Sequence, residues 1–549
     1  MKLRVLKVHP DDNIIVALDH LKKGENISYE SKEVILVEDI APKHKFTQDN
    51  LSTGDEIFMY GVLVGKAQYD IPAGSMISTF NVKHASAPFK LDTRKTNWTQ
   101  PNVDDFSQKS FQGFHRSNGS VGTANYWIVL PLVFCENRNL DVMKEALVNQ
   151  LGYGKGNKYK DFASQLIDSY RNGDTTEAIL KRDLKTSELN ANPSRIFENI
   201  DGVKFLNHDM GCGGTRQDAQ SLCGLLAGYI AHPNVAGATV FSLGCQNAQF
   251  SLLEEELQKR NCTDKPVVFL EQQNEGTEEK LISEAIKQTF TGLMEANKQT
   301  RQPAPLSKLV LGLECGGSDG FSGISANPTL GYVSDLLVTL GGTSILSEFP
   351  ELCGVEQELS DRCVEESTAL RFNSLMTAYA ASAVKAGSGF DMNPSPGNIK
   401  DGLITDAIKS AGAAKKGGTS PITDVLDYPE LVTKKGLNLL CTPGNDVEST
   451  TAMVGSGANI VLFTTGLGTP TGNPIAPVIK VSSNTILTNK MNDIIDVNTG
   501  SIIEGDETID EAGRRVLNYI ISVASGETQC KATINQQDDF IPWKRGVSL

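Results

Sequence analysis

Two hydrophobic rhythms divide the chain. From residue 1 to about 85, apolar and polar residues alternate in short segments broken by turn pairs such as Lys23-Gly24, Thr53-Gly54, Val64-Gly65 and Ala73-Gly74. A period of two buries one face of each strand, so this stretch predicts a small all-β module. From Asn125 onward, short continuous apolar runs alternate with longer stretches whose apolar residues recur every three or four positions. Strands buried on both faces need continuous runs, and the alternation with amphipathic helices predicts βαβ units: an α/β, mostly parallel, Rossmann-like region.

The runs predict strands over 126–134, 203–207, 239–243, 267–270, 309–313, 343–346, 437–440, 460–464 and 478–481. Helices are predicted over 218–231, 252–260, 278–296, 361–386 and 509–524. Residues 86–111, poor in aliphatics, predict an exposed linker between the module (1–85) and two α/β parts, 112–300 and 301–549. A glycine-rich stretch, 387–418, follows neither rhythm and predicts a long functional loop.

With 549 residues the chain exceeds one ordinary core, and its hydrophobic (39%) and charged (21%) shares are those of a globular protein. A net charge of -15 argues against nucleic acid or an anionic membrane as partner. A small anionic substrate would need a local basic patch. No run is long enough for a bilayer, and the first residues lack an apolar signal region. The ten cysteines are too sparse for a disulfide framework, which favours a cytoplasmic protein. A homodimer is the assembly expected if the chain oligomerises, although no pattern in the sequence marks it.

Chemistry collects where the predicted strands stop. Three runs end in glycine turns carrying Cys212, Cys245 and Cys315. In open parallel sheets ligands bind outside the carboxyl ends of strands, so these thiols are candidate ligands of a soft metal with one open position. An iron–sulfur cluster is the alternative occupant. Free cysteine is also a common small core residue, the reading given to the remaining seven. His208 precedes the first turn and is a candidate ligand or proton carrier. Asp319, Glu348, Glu351 and Asp446 stand at strand ends as candidate bases or hard ligands, and Arg116 could clamp a carboxylate. Neither glycine loop at Gly316 or Gly466 continues into a P-loop, which excludes that mode of nucleotide binding.

At these motifs the chain resembles the altronate and galactarate dehydratase family over nearly its whole length. The likeness rests on an N-terminal SAF-type β-clip with Glu38-Asp39-Ile40 and His44-Lys45, on Gly119 to Asn125, His208 to Cys212, and Leu243-Gly244-Cys245. It continues through Cys315 to Gly323, Ala326-Asn327-Pro328, Asn393 to Gly397 and Thr442 to Asp446. The resemblance implies metal-assisted dehydration of an aldonate, altronate giving 2-dehydro-3-deoxygluconate, with ferrous iron as cofactor and manganese as a substitute. Galactarate or another 2-hydroxy acid is the alternative substrate, and a sugar-acid binding protein without turnover is the alternative class. On this reading His208, Asp319 and Glu348 are catalytic, and Cys212, Cys245 and Cys315 hold the metal. Arg116, Asn125, Ser318, Asn398 and Asp446 contact substrate. Where relatives often carry a histidine pair, this chain has Ser78-Thr79-Phe80-Asn81, and Ser120 and Ala124 replace arginines. His20 and His44 remain as contributions from a module that could close as a lid.

Overall fold

A computed structural model describes residues 3–29, 32–91, 94–154, 158–184, 194–262 and 264–549. The first 85 residues form short antiparallel sheets, among them Val5–Leu6, Ile14–Ala17 and Lys45–Thr47, closed over Ile15, Leu21, Ile27, Leu36, Ile40 and Phe46. The segment predicted as an exposed linker instead buries Phe106 and Phe111, and its end enters the Ser110–His115 strand, which pairs with Gln302–Pro305. Two aromatic side chains in a polar stretch suffice to hold it against the body.

Two parallel sheets follow. The smaller has the order Gly202–Phe205, Tyr126–Pro131, Val235–Ser242, Val267–Glu271. The larger has seven strands, in the order Ile422–Leu426, Gly436–Leu440, Thr343–Leu346, Val310–Cys315, Ile460–Thr465, Val478–Ser482, Val497–Asn498. In each, the first strand along the chain is inside the sheet and the order reverses beside it, the topology that opens a crevice at the carboxyl edge. The two strands without a long apolar run, Ile422–Leu426 and Val497–Asn498, lie at the edges, where burial demands less.

A pair of glycines couples the sheets. The Arg216–Ala231 helix begins just after the Cys212 turn, and the Asp446–Gly455 helix carries Asp446 in its first turn. A Cβ on Gly228 would lie 2.1 Å from the Gly455 carbonyl oxygen, and one on Gly455 would lie 2.5 Å from Leu225. The helices therefore touch backbone to backbone near their carboxyl ends, and each starts after a strand of its own sheet. The β module is pinned to the same region. Lys43 Nζ reaches Asp319 at 3.1 Å, and the buried Lys45 Nζ donates to Gly402 O at 2.6 Å.

Gly228→Ala should lower stability by about 1–3 kcal/mol, the usual cost of overpacking a close contact. Urea denaturation measures it, and an unchanged midpoint would show that the helices are free to separate.

Candidate active site

The Val310–Cys315 strand runs up the middle of the larger sheet and ends with Glu314 and Cys315, both buried. Beside it, Thr343–Leu346 leads to Glu348, held in the left-handed region at φ 63° and ψ 57°. That conformation is costly for a residue with a Cβ and is fixed here by Glu348 N donating to Thr442 Oγ1 at 2.8 Å. Glu351 sits in the following turn, Phe349–Leu352, against which the Asp406–Ala414 helix packs. This helix carries Lys409, and the turn after it, Lys415–Gly417, carries Lys416. Seven residues apart, about two helical turns, both amines face the acids.

The contacts form one chain. Lys416 Nζ, 1% exposed, donates to Glu348 Oε2 at 2.6 Å and to Cys315 Sγ at 2.7 Å. Cys315 Sγ donates to Glu351 Oε2 at 3.1 Å, and Lys409 Nζ pairs with Glu351 Oε1 at 2.7 Å and donates to Asn393 Oδ1 at 2.6 Å. Glu314 accepts from Ser449 Oγ at 2.6 Å.

Burial and neighbouring acids decide who is charged. Burial, reinforced by Glu348, pushes the Glu314 carboxyl well above its ordinary range, so it is protonated and donates to Glu348. Burial, then Glu348 and Glu351, likewise hold Cys315 as a thiol. Burial also raises Glu348, although Lys416 pulls it down. For Glu351 burial is outweighed by Lys409 and Lys416, which hold it down at about 2. Lys416 is held as an ammonium because the acids outweigh its burial. At the mouth stands the half-buried Asp446, raised to about 7 by burial and then by Glu348 and Glu351. Its carboxylate lies so close to the chain that a Cβ on Gly316 would fall 2.0 Å from Oδ2.

Cys315, Glu348 and Glu351 are the one group of potential ligands within 4.8 Å of one another among the described residues. Lys416 already bridges two of the three at hydrogen-bond distance, and Lys409 neutralises the third. The set is satisfied by ammonium groups and does not fit a ferrous ion in this arrangement.

The structure divides the other predicted site residues. Cys212 and Cys245 are exposed on turns of the smaller sheet, apart from the buried Cys315, so the expected three-cysteine metal centre is not formed. His208 is not available as a base. Its Nε2 donates to Pro131 O at 2.8 Å, its Nδ1 accepts from Met210 N at 3.1 Å, and burial lowers its pKa to about 4. It fixes the turn that leads to Cys212.

Arg116 and Asn125 lie at the amino end of the smaller sheet, away from the crevice. Arg116 donates to Pro233 O at 2.7 Å and to Asn125 Oδ1 at 3.0 Å, and Asn125 donates to Asn199 O at 2.8 Å. Their polar groups close a structural join. Asp319 is engaged by Ser483 Oγ at 2.8 Å, Ser322 Oγ at 2.9 Å, Asn484 Nδ2 at 3.1 Å and Lys43, so it anchors the β module and is not free for catalysis. Ser318 gives its carbonyl to Asn398 Nδ2 at 2.7 Å, and Asn398 Oδ1 receives Ser395 N. The pair steadies the loop after Cys315. His44 contacts Lys400 O at 3.2 Å, and His20 is exposed.

Glu348, Cys315, Glu351 and Asp446 are therefore brought together, and Glu314, Lys409 and Lys416 join them without having been expected. Glu314 stands directly before a strand-end cysteine, a usable signal. The lysines sit among Gly and Ala in the stretch expected to be a loop, which folds instead into short helices.

The geometry defines an α/β protein with acid–base machinery at a strand-end crevice, and the comparisons name its kin. The altronate/galactarate dehydratase SAF domain matches residues 3–85, the D-galactarate dehydratase/altronate hydrolase second domain 113–297, and the D-galactarate/altronate dehydratase C-terminal domain 306–548. Altronate dehydratase of Bacillus subtilis is 34% identical over 99% of both chains. Altronate dehydratase of Escherichia coli is 33% identical over 100% of both. Galactarate dehydratase (L-threo-forming) of Escherichia coli is 31% identical over 97% of this chain and 94% of its own. The chain belongs to the altronate and galactarate dehydratase family.

Among the described residues no helix is long and apolar enough to cross a membrane.

Two outcomes follow for the network. Lys416→Met leaves buried acids without their cation and should cost about 3–5 kcal/mol in denaturant unfolding. Asp446 has its pKa raised from 3.8 to about 7 on folding, so its protonated form favours the native state and that contribution is lost as pH rises through about 7. Asp446→Asn should therefore raise the melting temperature at pH above 7, with the advantage fading below 3.8. An advantage independent of pH would assign it to packing.

Proposed function

We propose that this chain is a hydro-lyase of sugar-acid breakdown in the cytoplasm, converting D-altronate to 2-dehydro-3-deoxy-D-gluconate and water. The observation that carries the reading is the half-buried Asp446, within the electrostatic reach of Lys409, Glu348 and Glu351 and against Gly316 of the loop after Cys315. Full-length similarity to altronate dehydratases supports the choice of substrate.

A sugar acid brings a carboxylate, and this acidic chain must meet it with a local cation. Lys409 has three N–H donors and spends two on Glu351 and Asn393, so one is left for a substrate carboxylate. Loss of the C2 proton places a second negative charge on the carboxylate as an enediolate, which this ammonium offsets. Asp446, ionised in part near neutrality, takes that proton. The C2–H electron pair becomes the C2–C3 double bond, and Asp446 returns the proton to the 3-hydroxyl, which leaves as water. The enol then tautomerises to the 2-keto acid, with no change in oxidation state overall. Burial, together with Glu348 held by Lys416 and Glu351 held by Lys409, keeps Asp446 basic enough for this exchange.

Purified protein given D-altronate and galactarate separately should form 2-keto acid faster from D-altronate, and Lys409→Ala should lower kcat/KM by about 10²–10³-fold. Faster turnover of galactarate would move the specificity, and product from neither acid would overturn the reading.

A further inference from the structure

Three of the ten cysteines are exposed, and they are Cys135, Cys212 and Cys245. Free cysteine is ordinarily among the most buried residues, and an exposed thiol is open to oxidation. These three also converge. Tyr126–Pro131 lies between Gly202–Phe205 and Val235–Ser242, and each cysteine stands on the turn after one of these adjacent parallel strands. The turns are laced together. Phe134 N donates to Met210 O at 3.0 Å, Asn247 N donates to Gly211 O at 3.2 Å, and a Cβ on Gly211 would lie 2.0 Å from Leu132 O. The spot is the point of strand-order reversal in the smaller sheet, and the Arg216–Ala231 helix starts beside it with its positive end.

Spacing selects the occupant. Three thiolates on a single tetrahedral ion with bonds of about 2.3 Å would sit within about 4 Å of one another. These three sulfurs are not all within 4.8 Å. A cubane cluster, which separates its ligands by its own edge, suits wider spacing and exposed turns rich in backbone N–H. We propose that Cys135, Cys212 and Cys245 hold a 4Fe–4S cluster by three thiolates, leaving one iron open to an oxygen donor of the sugar acid. The trio excludes Cys315 and includes Cys135, whose sequence context marks nothing. The open-iron half rests on the proposed function, whereas the cluster itself does not.

The test is anaerobic reconstitution of the full chain with ferrous iron and sulfide. Iron, acid-labile sulfide, visible absorption and electron paramagnetic resonance of the reduced protein are then measured. Wild type and the control Cys262→Ser should bind iron and sulfide in equal amounts and show the cluster spectrum. Cys135→Ser, Cys212→Ser and Cys245→Ser should each lose it while keeping the circular dichroism of a folded protein, since all three positions are exposed. Iron without sulfide, or a spectrum retained in any of the three variants, would overturn the cluster. A spectrum that D-altronate leaves unchanged would overturn the open iron. Dehydration by cluster-free protein would sink the open iron and leave the assigned function standing, and a cluster without dehydration would sink only the assigned function.

Discussion

A single ammonium, Lys416, sealed among Cys315, Glu348 and Glu351, sets the terms for everything around it. Buried carboxylates without a cation would be protonated or would drive the chain apart. With Lys416 and Lys409 in place, Glu351 stays ionised while Glu314 gives up its charge. Burial, reinforced by the remaining negative potential of Glu348 and Glu351, holds Asp446 at about 7. Stability and reactivity are thus two readings of one charge arrangement, because the acids that burden the core also make a surface aspartate a useful proton carrier.

The second constraint is geometric. Two parallel sheets, each with its reversal in strand order, are brought together by helices that touch at Gly228 and Gly455. One helix starts just after the Cys212 turn and the other with Asp446, so each begins beside the chemical groups of its own sheet. The β module completes the enclosure through Lys43 and Lys45, and Asp319, engaged on both oxygens, is the fixed point to which it attaches.

Much of this was legible in the residues. Continuous apolar runs located the inner strands of both sheets, since strands covered on both faces leave no room for polar positions. Cys315, Glu348, Glu351 and Asp446 could be drawn to one edge because Cys315 closes a strand and the others stand in the turns that come after one. What could not be read was which sheet each strand would join, and so Cys212 and Cys245 were grouped with Cys315 rather than with Cys135. Asn125 shows a different limit: it precedes its strand, so its place at the amino edge was readable, but its motif suggested a ligand. Lys409 and Lys416 were hidden because a Gly- and Ala-rich segment has weak periodicity even when helical. His208 looked catalytic from its neighbours, and only coordinates reveal that both ring nitrogens are spent on backbone.

The central claim is that Asp446, tuned by buried acids, exchanges the proton on which dehydration depends. Its most direct test is the pH dependence of kcat/KM for D-altronate in wild type and in Glu351→Gln. The account gives a rise through about pH 7 in the wild type, displaced to lower pH in Glu351→Gln because one of the anions raising Asp446 is gone. A wild-type profile that is flat through this region, or a limb that Glu351→Gln leaves in place, would contradict it.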